Sequence, residues 1–364
     1  MQEAANEALL AMGNCSPNPP VGAIIVSKDN KIIGRGHTQR LGHNHAEIEA
    51  INSCNEDLKE STLFTTLEPC NLTLNTPPCT DQIIKSKIKH VVVGAKDINP
   101  KINGAGINEL IKANIKTEMS KINKTINYSL EAYNHYVKTK TPFLTLKMAM
   151  SLDGKIATNT GDSKWISGKE SRKLVHKYRS NTDAILTGIN TVIEDNPTLN
   201  VRLKNNKKAY QPKKIIIDTK GKIPLDSNCL DSNCIIITSE MNEKTKNELI
   251  AKSVVIEKVP LNKAGRVDLT YLYGILLKHN LTNIFIECGG TLSSELLRLK
   301  LIHKILMFIS PKIIGGSEYV PFSNIESDKM TDIVNMKNIE HTKVGEDILI
   351  KAIGRSNYSA ERNF

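Results

Sequence analysis

Aromatic side chains make up only 4% of this 364-residue sequence, and Trp165 is its single tryptophan. So few ring faces, with no dense basic run to carry them, argue against a surface that stacks the bases of a single strand. No segment approaches the roughly 18 uninterrupted apolar residues that a membrane helix needs, so no membrane partner is expected. The opening stretch MQEAANEALLAMGNC carries acids and no basic region, which does not read as a secretory leader. Seven cysteines, an odd number at irregular spacing, do not make a disulfide framework. They suit a reducing compartment instead, and a cytoplasmic location is the expectation. Internal repeats and low-complexity tracts are also missing.

What is present is ordinary for a globular chain: 40% hydrophobic and 24% charged residues. The length is more than one typical domain needs and points to two. The net charge of +11 is uneven. Residues 1–141 hold 16 Lys+Arg against 14 Asp+Glu, and residues 142–364 hold 33 against 24. A basic second half suits an anionic partner, either nucleic acid or a phosphorylated small molecule. Most of the excess reads as a lysine-rich solvated surface.

The strongest chemical signal lies in the first half. His45-Ala46-Glu47 is followed by Pro69-Cys70 and then by Cys79. One imidazole and two thiols form a donor set for zinc, and three protein ligands leave a fourth position open for water. Zinc acidifies such a water. Glu47, two residues from the imidazole and not itself a ligand, is free to move protons. His-x-Glu followed by Pro-Cys is the pattern of zinc-dependent deaminases, in which the two cysteines normally stand two residues apart. Here Asn71 to Pro78 separate them. Cys15, Cys54, Cys229, Cys234 and Cys288 have no partner pattern and read as structural thiols.

Periodicity places the ligands. Residues 2–12 read as a helix, and Val21–Val26 and Ile32-Ile33 as a hairpin ended by Gly34 and Gly36. A helix from His45 to Asn52, capped by Asn44, follows. A strand over Leu63–Leu67 delivers Glu68-Pro69-Cys70, and Cys79 opens the next helix. A strand at 91–93, a helix at 107–113, a strand at 115–118 and a helix at 121–137, with Ile122, Ile126, Leu130 and Tyr133 on one face, complete an α/β layered half. Gly104-Ala105-Gly106 lacks the third glycine of a dinucleotide loop and carries little weight. Lys138-Thr139-Lys140-Thr141-Pro142 is the polar break at which two domains, 1–141 and 142–364, are expected to meet. The second half reads as about seven strands and four helices. Its chemical feature is the strand Asn283–Glu287, running into Cys288-Gly289-Gly290-Thr291 and a helix. That turn is either an ordinary tight turn or a place where backbone N–H groups meet a phosphate.

Taken together the motifs resemble the bifunctional riboflavin-biosynthesis deaminase/reductase family over almost the whole chain. Pro17-Asn18-Pro19-Pro20-Val21-Gly22, His45-Ala46-Glu47, Thr66-Leu67-Glu68-Pro69-Cys70 and Thr76-Pro77-Pro78-Cys79 carry the likeness in the first half. Leu146-Lys147, Ser151-Leu152-Asp153-Gly154, Ser163-Lys164-Trp165-Ile166, Asp195-Asn196-Pro197-Thr198-Leu199 and Glu287-Cys288-Gly289-Gly290-Thr291-Leu292 carry it in the second. The longer gap between the cysteines is that family's form of the zinc loop. The resemblance implies a cytidine-deaminase-like three-layer domain followed by a dihydrofolate-reductase-like α/β domain. It also implies hydrolytic deamination of 2,5-diamino-6-(5-phosphoribosylamino)pyrimidin-4-one, then NADPH-dependent reduction of the ribosyl group to ribityl. By match, His45, Cys70 and Cys79 hold Zn2+, Glu47 is the proton shuttle, and Asn18 touches the first substrate. Ala149, Trp165, Thr191, Asp195 and the run Gly289, Gly290, Thr291, Leu292, Ser293, Ser294, Glu295 match the NADPH site. Ser163, Arg179, Leu199, Arg202 and Glu287 match the second substrate site, where Arg179 and Arg202 would suit a ribose 5-phosphate, because guanidinium binds phosphate bidentately. Hydride addition at C1′ also needs a proton, for which Lys147 and Asp195 are the candidates. The implied partner is a phosphorylated small molecule rather than nucleic acid or membrane, and a homo-oligomer is expected.

The chain departs from the family in one place that bears on chemistry. The usual Cys-Ser-His-x-Gly-Arg-Thr-Pro-Pro-Cys is here Cys70-Asn71-Leu72-Thr73-Leu74-Asn75-Thr76-Pro77-Pro78-Cys79. The ligands survive, while a histidine and a Gly-Arg pair are replaced. Two other readings therefore stand beside the bifunctional enzyme: a reductase with a silent, zinc-stapled deaminase-like domain, and a nucleic-acid base deaminase.

Overall fold

A computed structural model describes residues 1–73, 77–121, 123–203, 210–323, 325, 328–331 and 333–354. Leu74, Asn75 and Thr76 of the zinc loop, and Ile122, lie outside the described residues. The chain divides into two compact units, Met1–Lys140 and Thr141–Phe364.

The first unit runs α1 (Gln2–Ala11), β1 (Gly22–Val26), β2 (Ile32–His37), α2 (Ala46–Asn52), β3 (Thr62–Thr65), α3 (Cys79–Lys85), β4 (His90–Val93), α4 (Ala105–Lys112), β5 (Lys116–Met119) and α5 (Lys124–Thr139). Its sheet has the order β2-β1-β3-β4-β5. The β1–β2 and β1–β3 pairs are antiparallel, and β3–β4 and β4–β5 are parallel. Ala23, Ile25, Leu63, Val91 and Val93 alternate onto the buried face and meet Ala46 and Ala50 of α2 and Leu110 of α4. The strand β2 does not stop at Gly34 and Gly36 but passes through both. A Cβ on Gly34 would come within 2.5 Å of the Ala50 carbonyl, and one on Gly36 within 2.3 Å of the Ala50 nitrogen. These glycines let α2 lie directly on the strand. The helix α5 starts three residues later than the pattern suggests, because the Asn123 side chain caps it, accepting from the Thr125 and Ile126 N–H groups. His45, not Asn44, is the residue before α2, and Asn44 instead donates to Glu49 at 2.8 Å.

The second unit runs β6 (Phe143–Met150), α6 (Lys169–Ser180), β7 (Ala184–Gly188), α7 (Ile189–Asp195), β8 (Lys213–Ile217), β9 (Cys234–Thr238), α8 (Glu243–Ala251), β10 (Val255–Lys258), a 3-10 turn (Leu269–Tyr271), α9 (Leu272–Lys278), β11 (Asn283–Glu287), α10 (Gly290–Arg298), β12 (Lys304–Ile309), β13 (Met336–Val344) and β14 (Asp347–Gly354). The sheet order is β10-β9-β8-β7-β11-β6-β12-β14-β13. From β10 to β12 every pairing is parallel; β14 and β13 add antiparallel. A parallel sheet buries both faces, so its strands are unbroken apolar runs. Ile215, Ile217, Ile235 and Ile237 face one core, and Ile216 and Ile236 face the other.

Among the described residues the second unit has nine strands, where the sequence suggests about seven; β13 was not anticipated, and neither was α8. Both omissions have one cause. Only Leu249 of α8 is buried, and β13 is exposed along nearly its whole length, so neither carries an apolar period.

Candidate active sites

In the first unit three loops bring the donor atoms together. His45 immediately precedes α2, Cys70 follows the β3 strand end, and Cys79 is the first residue of α3. His45 Nδ1 lies 3.3 Å from Cys79 Sγ and 3.5 Å from Cys70 Sγ, and the two sulfurs are 3.5 Å apart. A disulfide requires about 2.05 Å between sulfurs, so this is not one. Tetrahedral zinc, at about 2.3 Å from sulfur and about 2.0 Å from nitrogen, requires ligand atoms roughly 3.6–3.8 Å apart. The cluster is within a few tenths of an ångström of that geometry, and its donor chemistry fits zinc. Among the described residues it is the one His/Cys/Asp/Glu group close enough to hold an ion.

The two thiols share one proton between them. The hydrogen bond from Cys79 is the largest cause holding the Cys70 thiol down to about 4, and the same contact pushes Cys79 up. Glu47, in the first turn of α2, is 3% exposed. Burial first, then the Cys70 charge, pushes its carboxyl up to about 7. It is a buried acid poised near neutrality beside the donor cluster.

Glu68 holds the cluster's frame, and the sequence reading gave it no role. Its Oε2 accepts from the backbone N–H of Asp97 (3.2 Å) and Gly104 (2.9 Å), and its Oε1 from Gly106 (3.1 Å) and Ile107 (3.3 Å). The start of α4 is thereby tied to the chain two residues before Cys70. Gly106 is required for close approach, since a Cβ there would stand 2.0 Å from the Pro69 carbonyl. The Gly104-Ala105-Gly106 run thus serves a carboxylate of its own chain. Asn18 lies in the turn before β1 with a half-buried side chain that makes no hydrogen bond among the described residues.

In the second unit a cavity of about 1070 Å³ opens at the carboxyl ends of β6, β11, β7 and β8. Open α/β sheets bind ligands at such strand ends. Lys147, Ala149, Ser163, Trp165 and Arg179 line it, with Thr191, Asp195, Leu199 and Arg202. Glu287, Gly289, Gly290, Thr291, Leu292 and Glu295 complete the anticipated set. Ser293 and Ser294 do not face the cavity: their hydroxyls donate to the Gly290 carbonyl at 2.9 and 2.6 Å, and both are buried.

At the floor, Glu287 and Lys147 are register partners on adjacent strands. Arg179 grips Glu287 with two bonds, Nε to Oε1 at 2.5 Å and Nη2 to Oε2 at 3.0 Å, and gives its third to the Asn200 carbonyl. Burial works against the Glu287 charge, but Arg179 and Lys147 outweigh it and hold the carboxyl low. Burial lowers the Lys147 ammonium, with Glu287 opposing. His176, unanticipated because one histidine on a polar helix gives no signal, also lines the cavity. Its Nδ1 accepts from the Arg202 N–H at 3.3 Å, and burial then Arg179 push it down to about 4, so it is neutral at physiological pH. The helix α10 points its N-terminus into the cavity. Gly290 is packed tightly, because a Cβ would meet the Val320 carbonyl at 2.5 Å, whereas a Cβ on Gly289 would meet nothing within 4 Å. That open space, beside helix N-terminal N–H groups with no side-chain cap among the described residues, fits the phosphates of a dinucleotide.

The first unit thus has the donor set and buried acid of a zinc deaminase, and the second a strand-end cavity of the kind that takes a dinucleotide. The cytidine and deoxycytidylate deaminase zinc-binding region matches residues 1–95, and the RibD C-terminal domain matches residues 142–350. The riboflavin biosynthesis protein RibD of Aquifex aeolicus is 37% identical over 361 residues, covering 96% of both chains. The structure of Acinetobacter baumannii RibD superposes with a TM-score of 0.81 at 31% identity, covering 98% of both chains. That of a Thermotoga maritima diaminohydroxyphosphoribosylaminopyrimidine deaminase/5-amino-6-(5-phosphoribosylamino)uracil reductase gives 0.78 at 32% identity over 97% of both chains. The chain belongs to the RibD family, the bifunctional deaminase/reductases of riboflavin biosynthesis. A zinc-binding deaminase domain and a reductase domain imply zinc and a nicotinamide cofactor. Among the described residues no helix is long and apolar enough to cross a membrane.

Proposed function

We propose that the first unit removes ammonia from the ring carbon bearing the 2-amino group of 2,5-diamino-6-(5-phosphoribosylamino)pyrimidin-4-one. The second unit then reduces the ribosyl group of that product to ribityl with NADPH. The observation that carries the first step is the buried carboxyl of Glu47 beside the three-ligand cluster of His45, Cys70 and Cys79. Bound there, zinc supplies a Lewis acid and an acidified water. Glu47 takes a proton from the attacking water and passes it to the departing amine; a carboxyl pushed up to about 7 suits both halves of that transfer. Asn18 offers an unbonded carboxamide for the pyrimidine edge.

Held in the cavity of the second unit, NADPH would supply the hydride that C1′ of the ribosyl group takes up. The ring oxygen released at that carbon takes a proton, and Lys147 is its donor in this reading. Support comes from burial, which lowers the ammonium and makes it a stronger acid, and from Glu287, which keeps it charged. Glu287 is fixed in turn by Arg179. Arg202 carries the substrate phosphate in this reading: among the described residues its guanidinium bonds only the neutral Thr198 and Asn200 side chains, whereas that of Arg179 is paired with the Glu287 carboxylate. Gly289, Gly290, Thr291, Leu292 and Glu295, with Thr191, Asp195, Ala149 and Trp165, surround the dinucleotide. A Glu47→Gln variant tests the assignment: it should keep its zinc and its NADPH oxidation with pre-deaminated substrate and lose ammonia release. Ammonia release at the wild-type rate would remove Glu47 from the mechanism.

A further inference from the structure

The cations that line the reductase cavity are almost all engaged within the chain. Lys147 stands beside Glu287, and Arg179 is held by Glu287 and the Asn200 carbonyl. Lys164 lies 3.6 Å from Asp195, Arg172 stacks on Trp165 at 4.5 Å, and Arg202 donates to Thr198 and Asn200. Arg266 differs. It is exposed on the cavity wall, and its guanidinium has no ion pair or side-chain hydrogen bond among the described residues.

Its backbone, by contrast, is fixed. Leu261 and Val267 form an isolated antiparallel bridge, and Asn262 donates its N–H to the Arg266 carbonyl at 2.7 Å. The Asn262 side chain accepts from the Ala264 and Arg266 N–H groups, both at 3.0 Å. Gly265 takes the positive φ of +68° that so tight a loop needs. The loop is then tied to the sheet: the Val267 N–H donates to Thr219 Oγ1 at 3.2 Å, just beyond the end of β8. A charged group without a partner is thus held by a rigid loop at one end of the cavity.

The other end is the reacting one. Lys147 is on β6, and Thr219 follows β8. The order β8-β7-β11-β6 separates them by three strand spacings, roughly 14 Å at about 4.8 Å per strand. The α10 N-terminus, with the open space at Gly289, follows β11, between these ends. An extended dinucleotide whose nicotinamide lies over Lys147 and whose pyrophosphate meets α10 carries its adenosine toward Thr219 and Arg266. The feature that separates NADPH from NADH is one phosphate on the adenosine 2′ oxygen. Guanidinium is the side chain best shaped to grip such a dianion.

Resting on the NADPH reading above, we infer that Arg266 is a specificity-determining residue that recognises the 2′-phosphate of the cofactor, from the loop over the end of β8. Isothermal titration calorimetry of the full-length, zinc-loaded protein tests this without turnover. The titrants are NADPH, NADH, 2′,5′-ADP and 5′-AMP, against wild type, Arg266→Gln and Arg266→Lys. The wild type should bind NADPH more tightly than NADH. Arg266→Gln should lose about 10- to 100-fold for NADPH and 2′,5′-ADP, the scale of one or two charge-assisted hydrogen bonds. NADH and 5′-AMP should bind it as they bind the wild type, and Arg266→Lys should recover part of the loss. An NADPH-to-NADH ratio unchanged in Arg266→Gln would overturn the inference, as would an equal loss for both dinucleotides, which would mark a structural role. Failure of the wild type to bind either dinucleotide would instead overturn the cofactor reading, and the inference with it.

Discussion

Removing the Glu68 carboxylate should unfold the first unit more readily than any surface change in it. In Glu68→Ala the four backbone N–H groups of Asp97, Gly104, Gly106 and Ile107 lose their acceptor inside a site where Glu68 is 3% exposed. A buried donor left without a partner costs about 1–3 kcal/mol. Taking the low end, because water can enter the space vacated, four donors give about 4 kcal/mol. Glu68→Gln keeps one acceptor oxygen and turns an amide toward the other two N–H groups, so about 2 kcal/mol is expected on the same scale. All four donors lie in the first unit, so the second unit's unfolding serves as an internal reference. Urea unfolding of zinc-loaded protein, followed by circular dichroism, should show the order wild type, Gln, Ala for the first transition and no change in the second. Because Cys70 lies two residues further on, Glu68→Ala should also give up zinc to a competing chelator sooner. A first transition within about 0.5 kcal/mol of wild type in Glu68→Ala would refute the reasoning, since that is the range of ordinary surface substitutions.

Three further outcomes follow from the same geometry. Lys147→Gln should lower NADPH oxidation by about 10²- to 10⁴-fold, the usual worth of a positioned proton donor, while a dinucleotide titration shows unchanged cofactor affinity. Arg179→Ala should destabilise the second unit by about 3 kcal/mol, because it strips the Glu287 carboxylate of both its hydrogen-bonded ion-pair contacts, leaving only the neighbouring Lys147, in a site where both side chains are no more than 15% exposed. The sign with pH is definite. Glu287 titrates below its ordinary 4.5 in the folded state, so its contribution is complete above that value and is lost as pH falls through the folded one. The difference in thermal midpoint between wild type and Arg179→Ala, measured from pH 7 down to pH 3, should therefore shrink below about 4.5. Chelation of zinc should abolish ammonia release and leave reduction of pre-deaminated substrate intact, as followed by NADPH absorbance.

The donor triad was legible in the sequence because metal chemistry restricts residue type. Two thiols and an imidazole in that order, with a proline directly before Cys70, have few other uses. The strands of the second sheet were legible because both faces are buried, which leaves runs such as Cys234–Thr238 without a polar residue until their last. Function carried by backbone groups was not legible. Glu68 satisfies four N–H donors far along the chain, and nothing local marks it apart from any other glutamate. Arg179 reads as a phosphate ligand by residue type, yet the fold gives its three bonds to Glu287 and Asn200. Ser293 and Ser294 fall inside a motif run, yet helical geometry turns them to the Gly290 carbonyl. A contiguous run gives a segment's place, whereas a helix divides its residues between a cavity and a core.

The most direct test of the account is mass spectrometry of 2,5-diamino-6-(5-phosphoribosylamino)pyrimidin-4-one after incubation with zinc-loaded protein, with and without NADPH. Exchange of the 2-amino group for a carbonyl is expected without NADPH, and a further gain of two hydrogens only when NADPH is added. An unchanged 2-amino group alongside reduction of pre-deaminated substrate would contradict it, and would leave the first unit a zinc-stapled scaffold.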